Sequence, residues 1–292
     1  MKESICIILA LLSFEFSVFS QEKRLFKVMT YNIRNSYAKD GENCWKNRRQ
    51  ATVKMINEVR PDVVGMQELC PEQEEFLDSA LTEYSHIGIG RDDGKHEGEI
   101  MAIFYDTSRI ELICWGTFWL SKTSDKPSKG WDAACKRTCT WSQMYDKKSG
   151  EKFLFFNTHL DHVGKKAHKM EVRLIADSIA VMSERFGIEK CFLTGDFNTS
   201  AKNKIFRPLK KIMSEARKES PVTDRGYTYN GFGKVNPTLD SHVLDDNGNS
   251  DDEVAIDHIF FKGYKVIIFN VLRDDYGAKF ISDNYPVLGM FK

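Results

Sequence analysis

Apolar positions along the chain fall into two alternating patterns. Leu25 to Ile33 is rich in β-formers, whereas Trp45 to Val59 places Val53, Ile56 and Val59 at three-residue steps and predicts a helix. Asp62 to Met66 reads as a short buried strand behind the breaker Pro61, and Glu72 to Leu81 returns to helical spacing. Ile100 to Tyr105 and Glu111 to Leu120 predict strands, followed by a Lys/Ser/Gly-rich loop from Ser121 to Ala134. Thr140 to Tyr145 and Phe153 to Asn157 flank the turn residues Lys148, Ser149 and Gly150, which predicts a hairpin. Lys165 to Phe186 is the longest helical stretch, and Lys190 to Leu193 a strand after it. Asp245 to Glu253 is polar enough to be a surface loop. Strands near Ile256 to Phe261, Lys265 to Val271 and Val287 to Phe291 close the chain. With no repeat and no low-complexity linker, residues 21–292 predict a single mixed α/β domain.

The first residues stand apart from this alternation. Lys2, the apolar run Ile5 to Leu12 and then Val18, Phe19 and Ser20 have the form of a secretory signal peptide ending near Ser20. A buried N-terminal strand or helix is the competing reading. An exported chain would be secreted or periplasmic, with no transmembrane segment once residues 1–20 are removed. Lysine plus arginine and aspartate plus glutamate number 42 each, so the chain of 292 residues has no net charge. Proteins that wrap long nucleic acid usually carry a basic surplus, because phosphate neutralisation supplies their non-specific affinity. Neutrality therefore favours a small or short substrate. The seven cysteines include no CxxC pair, which argues against a zinc site. Cys135 and Cys139 could bridge if the loop bends.

Polar clusters punctuate the ends of the predicted strands. They are Asn32 in TYNIR, Gln67 and Glu68 in GMQE, Asn157, His159 and Asp161 in NTHLDH, Asp196 and Asn198 in TGDFN, Asp257 in IDH, and Asp283 in SDN. Carboxylates, amides and imidazole without thiolates suit hard cations such as Mg²⁺ or Mn²⁺. Mg²⁺ keeps several waters and takes one or two protein carboxylates, which matches Glu68 as a principal ligand. A cation, a carboxylate beside a water and nearby donors are the parts that in-line attack on a phosphate ester needs.

In this order the motifs resemble the endonuclease/exonuclease/phosphatase superfamily over Phe26 to Phe291. Gly90 to Ile100, Gly116 to Ser121 and Gly130 to Trp141 are similar to a secreted bacterial subgroup of it. The resemblance implies an α/β four-layer sandwich, two facing mixed β-sheets flanked by helices, with the site at one end. It implies a metal-dependent phosphoesterase in which Glu68 is the main ligand, with Asn32 and Asp283 nearby. Asp196 would activate or orient water, Asn198 would help fix it, and His159 would donate to a phosphate oxygen. Arg34, Asn157 and Arg137 are candidate substrate contacts, and Glu99 could line the cleft. The partner implied is a phosphate-ester substrate (nucleotide, short nucleic acid, sugar or lipid phosphate), with no stable protein partner.

The chain departs from the family at one residue. Asp257 is expected to pair with a histidine in a final SDH motif, but position 284 is Asn284. An amide can donate a hydrogen bond but cannot carry positive charge or transfer a proton, and losing one preorganised donor costs roughly 10²–10³ in rate. His258 is adjacent to Asp257 but, on a strand, points to the opposite face. His162 and His168 read as exposed helix or loop residues. A phosphate-binding homologue of low or no activity is the alternative reading.

Overall fold

A computed structural model describes residues 24–235 and 255–292. The expected signal segment and the polar loop Asp245 to Glu253 lie outside the described residues. The first half of the fold comprises β1 (Phe26–Asn32), α1 (Trp45–Val59), β2 (Val63–Leu69), α2 (Pro71–Ala80), β3 (Tyr84–Ile87), β4 (Ile100–Asp106) and β5 (Ile110–Trp119). Next come β6 (Thr138–Asp146), β7 (Glu151–His159), α3 (Lys165–Phe186), β8 (Cys191–Asp196), α4 (Arg207–Lys210), β9 (Ser214–Glu215) and α5 (Ala216–Glu219). The last strands are β10 (Val222–Thr223), β11 (Asp257–Lys262), β12 (Val266–Val271) and β13 (Val287–Phe291).

The strands form two mixed sheets, one in the order β10-β12-β13-β1-β2-β4-β3 and the other β5-β6-β7-β8-β11-β9. Helices α1 and α2 cover the outer face of the first sheet, and α3 covers that of the second. Burial on both faces explains why Phe153 to Phe156 is an unbroken apolar run. Phe153 and Phe155 face the opposing sheet, while Leu154 and Phe156 lie under α3. Helix α1 ends at Arg60, which is left-handed (φ 51°) just before Pro61, and α3 ends on Gly187 (φ 64°). The expected hairpin is present as β6 and β7 paired antiparallel. The short strands β3, β9 and β10 have too few alternating residues to stand out in the sequence.

Period-two alternation also sets up the polar end of the sandwich. Along β1 the inward series is Phe26, Val28, Thr30, Asn32, along β7 Phe153, Phe155, Asn157, His159, and along β8 Phe192, Thr194, Asp196. On β11, antiparallel to β8, the same face runs from Phe261 through Ile259 to Asp257, which lies opposite Asp196. The two sheets come into close contact where these series change character. A Cβ on Gly65 of β2 would stand 2.1 Å from Thr194 Oγ1 and 2.5 Å from Asn157 Oδ1. Both atoms are hydrogen-bonded and buried, so neither can step aside cheaply. Gly65→Ala is expected to lower stability by about 3 kcal/mol and the melting temperature by roughly 6–12 °C, read by thermal unfolding; an unchanged midpoint would contradict this close contact.

Candidate active site

Where the inner faces turn polar, the sandwich opens into a cleft of ≈ 450 Å³ whose lining includes Glu68, His159, Asp196, Asn198, Asp283 and Asn284. Its geometry begins with a break in β2. The pairing of β2 with β4 shifts register between Met66 and Leu69, and the bulged Glu68 has φ 60°. That conformation costs about 1–3 kcal/mol for a non-glycine residue, and it turns the Glu68 carboxylate into the cleft. The carboxylate is then held on both sides. Asn32 Nδ2 donates to Oε1 at 3.0 Å, and the Asn35 amide groups donate to Oε2 at 2.9 Å (side chain) and 3.1 Å (backbone).

The ends of β1 and β8 use one device twice. Asn32 Oδ1 accepts from Arg34 N at 2.9 Å, and Asp196 Oδ1 accepts from Asn198 N at 2.9 Å. In each case the residue two positions on is left-handed, φ 60° at Arg34 and 50° at Asn198. A short polar side chain that caps its own backbone is what permits such a turn without glycine. Ser282 Oγ donates to Asn32 O at 2.7 Å, which draws Asp283 and Asn284 to the same end.

Carboxylates outnumber cations here. Asn32 Nδ2 also donates to Asp196 Oδ2 at 2.9 Å, so one amide bridges Glu68 and Asp196. Asn284 Nδ2 bridges Asp257 Oδ2 at 3.0 Å and Asp196 Oδ2 at 3.3 Å. Burial, with the charge of Glu68 adding to it, pushes the Asp196 carboxyl up to about 6 and that of Asp283 up to about 7. Burial, then Asp196, raises Asp257 well above the usual carboxylate range. Arg34 is the cation beside them, 3.5 Å from Asp283 and paired with Asp40 at 3.0 Å. A hard divalent cation fits this surplus of negative charge. Among the described residues no three His, Cys, Asp or Glu side chains close around one point. The donors therefore suit an ion that keeps waters and takes few protein ligands.

Two expectations change at this level and one is sharpened. Asn32 was expected beside the metal; its Oδ1 accepts from Arg34 N with one lone pair, leaving the other for an ion, and its NH₂ clamps two carboxylates. Asn157 was expected to contact substrate. Instead it is fully buried, its Nδ2 donating to Met66 O (2.7 Å) and Ala102 O (2.8 Å) and its Oδ1 accepting from Gln67 (2.7 Å) and Thr194 (3.1 Å). With every donor and acceptor engaged, it ties the sheets together and has nothing left for a ligand. His159 was expected to donate to phosphate. Burial, then the charges of Arg137 and Arg91, hold it well below the ordinary histidine range, and its Nε2 faces the Asn198 NH₂ at 3.0 Å. Because Asn198 Nδ2 donates, that nitrogen accepts, and the ring proton sits on Nδ1, which is buried without a hydrogen-bond partner.

Other residues enter the cleft that sequence reasoning did not single out. Asn35 and Arg91 line it, as does His162, read earlier as merely exposed, whose Nδ1 accepts from Arg137 Nη2 at 3.0 Å. Their only signal in the sequence was proximity to the motifs. Glu99 also lines the cleft, paired with Arg91 at 2.5 Å. His168 is tied to Phe197 O at 2.7 Å on α3 rather than free in solvent. His258 points away, bonded to Thr199 O at 2.9 Å among Phe197, Phe206 and Phe260. Cys135 and Cys139 are both unpaired thiols.

A model of the Endonuclease/Exonuclease/phosphatase family matches residues 29–283. The chain belongs to that family. Its structure superposes on the mannosyl-6-phosphatase of Bacteroides thetaiotaomicron with a TM-score of 0.82 at 33% identity, covering 91% of this chain and 99% of that one. An endonuclease/exonuclease/phosphatase of Bacteroides vulgatus gives 0.81 at 32% identity, over 92% and 99% of the two chains. An uncharacterised protein of Acanthamoeba polyphaga mimivirus is 25% identical over 267 residues, 85% of this chain and 92% of that one. The family's four-layer arrangement thus accounts for the two facing sheets.

One buried acid beneath the cleft has a measurable consequence. Glu171 of α3 accepts from Asp161 N at 2.8 Å, and burial, with the charges of Asp161 and Asp132, pushes its carboxyl up to about 7. Between the unfolded value near 4.5 and that point, the folded state keeps a proton the unfolded chain has lost. Stability therefore falls as pH rises through this window, by about 3 kcal/mol once it is crossed. Glu171→Gln is expected to make the fall in denaturant-unfolding stability between pH 5 and 8 shallower, with Asp196, Asp283 and Glu99 carrying the rest; an unaltered slope would show that Glu171 contributes none of it.

Proposed function

We propose that the protein is a divalent-metal-dependent phosphoesterase that cleaves small phosphorylated substrates by in-line attack of water. The observation that carries the reading is the convergence of Glu68, Asp196 and Asp283 on one open cleft, with Asp257 buried behind Asn284, and too few cations to balance them. Glu68, with Asp283 beside it, would hold Mg²⁺ or Mn²⁺. The bound ion would supply charge neutralisation and polarisation of the phosphoryl oxygen.

The chain's own residues do the rest. Asp196, oriented by Asn32 and by the Asn198 backbone N–H, positions the attacking water and accepts its proton. Asn198 Nδ2 spends its N–H groups on His159 and Leu160 O, and Asn284 Nδ2 spends its own on Asp257 and Asp196, so both amides orient the site rather than bind the non-bridging oxygens. Asn284 holds the Asp257–Asp196 pair with a neutral donor, so the proton an imidazolium would have carried is absent from that corner. The zero net charge and the size of the cleft favour a monomeric substrate over a polymer. The likeness to a mannosyl-6-phosphatase supports a phosphorylated sugar. Asn284 favours one second reading, a phosphate-ligand binder with little turnover.

Hydrolysis of p-nitrophenyl phosphate, bis(p-nitrophenyl) phosphate and hexose phosphates with Mg²⁺ or Mn²⁺ separates these readings. Glu68→Ala is expected to abolish metal-dependent activity, and Asn284→His to raise kcat by about 10²-fold. Activity surviving in Glu68→Ala would sink the metal assignment. Inert wild-type and Asn284→His proteins would favour the binder. Export belongs to the same proposal, on the strength of Lys2 and the apolar run Ile5 to Leu12. N-terminal sequencing of the mature protein should begin near Gln21, and a product retaining Lys2 would overturn export.

A further inference from the structure

Arg137 stands on the His159 side of the cleft and is only 4% exposed. It immediately precedes β6, and its carbonyl accepts from Leu120 N at 2.7 Å, so its backbone is anchored. A guanidinium has five N–H donors and no acceptor. Here Nη2 donates to His162 Nδ1 at 3.0 Å, while Nε is buried without a hydrogen-bond partner. Among the described residues the carboxylate within ion-pair reach is Asp161, 3.8 Å from Nε. Both Asp161 oxygens already accept backbone N–H groups, Oδ2 from Ala134 (2.9 Å) and Cys135 (3.4 Å), Oδ1 from Val163 (3.0 Å) and Gly164 (2.7 Å). The charges of Glu99, Glu171 and Asp196 also act on the guanidinium, but its Nε has no hydrogen-bond acceptor, so an anion entering the cleft would find donors not yet spent.

Its neighbours extend the same character. Because Arg137 can only donate, His162 Nδ1 must accept, which puts the imidazole proton on Nε2 as a further donor on the cleft lining. Arg91, on the same wall, shares its charge with Glu99 at 2.5 Å. The His159 side therefore carries Arg137, Arg91 and the His162 N–H donor, with Glu99 as the carboxylate paired to Arg91. His159 itself, neutral with Nε2 turned to Asn198, supplies no charge there.

We propose that Arg137, oriented by His162 and flanked by Arg91, selects dianionic phosphomonoesters over phosphodiesters. The proposal rests on the phosphoesterase reading and narrows its substrate class. In-line attack leaves three equatorial oxygens on phosphorus, between the attacking water and the leaving oxygen. In a monoester all three are terminal and share two negative charges, whereas in a diester one is an ester oxygen bearing a second alcohol. A cation held by Glu68 and Asp283 would neutralise charge on two of these positions. Arg137 serves the third. A diester would bring a neutral, bulkier oxygen against a buried guanidinium, and so meets an unpaired charge where the monoester finds its partner.

Steady-state kinetics on p-nitrophenyl phosphate and bis(p-nitrophenyl) phosphate, with inorganic phosphate as inhibitor, test this directly. Wild type is expected to prefer the monoester, and Arg137→Gln to reduce the monoester-to-diester ratio of kcat/KM at least about tenfold. The same variant should weaken phosphate inhibition, with Arg137→Lys restoring part of both effects because it keeps the charge but loses the fork. His162→Ala, at an exposed position that leaves folding intact, should shift the ratio the same way by a smaller factor. Equal use of both esters by wild type, or equal losses on both in Arg137→Gln, would overturn the proposal. If no ester is turned over, the phosphoesterase reading fails separately. Calorimetric binding of inorganic phosphate then decides the subsite: loss in Arg137→Gln supports it, and unchanged affinity rejects it.

Discussion

The fold and the site both depend on one amide. Asn157 projects from the second sheet into the first and satisfies two backbone carbonyls there, those of Met66 and Ala102. These carbonyls belong to the last regular pair before β2 loses register with β4, so without Asn157 the bulge would leave buried acceptors unpaired. Its oxygen accepts from Gln67 and Thr194, one from each sheet, and Gly65 contributes by having no side chain to hold the sheets apart. On one side of this tie lies a core of phenylalanine and valine, and on the other the cleft. The contact fixes how far apart Glu68 and Asp196 stand, since one belongs to each sheet.

Above that tie, the site is arranged by neutral amides between charged groups. Asn32 spans Glu68 and Asp196, and Asn284 spans Asp196 and Asp257. Each amide holds two carboxylates close without cancelling their charge, while burial, with the charge of Glu68 added, raises Asp196 and Asp283. Such a site is incomplete on its own terms: it gathers more negative charge than burial tolerates, which a hard cation relieves. On the same cleft Arg137 is buried with its Nε unpartnered. On the proposed reading, a phosphate between a divalent cation and this guanidinium would engage both groups.

Much of the fold was legible in the sequence because it rests on period. Helix α1 over Trp45–Val59 and α3 over Lys165–Phe186 were read with their observed bounds, since their apolar stripes are long and their ends carry Pro61 and Gly187. The polar residues at strand ends were legible because alternation is strict: Asn32, His159, Asp196 and Asp257 continue the inward series of their strands. Which polar residue would touch a ligand was not legible. Asn157 and His159 lie two residues apart on one face, yet one is consumed by the opposite sheet and the other borders the cleft. His162 was read as exposed because nothing local distinguishes it, and only folding sets it against Arg137.

The sequence by itself determined the longer strands, the long helices, the placement of the polar candidates at strand ends and the substitution of Asn284 for a histidine. These follow from local periodicity and residue chemistry, which a chain carries wherever it goes. Tertiary structure alone decided the bulge that turns Glu68, the amide that joins the sheets and the charge balance of each cleft wall. Those depend on groups far apart in the chain meeting in a medium of low dielectric, where a single unpaired hydrogen bond or charge is decisive.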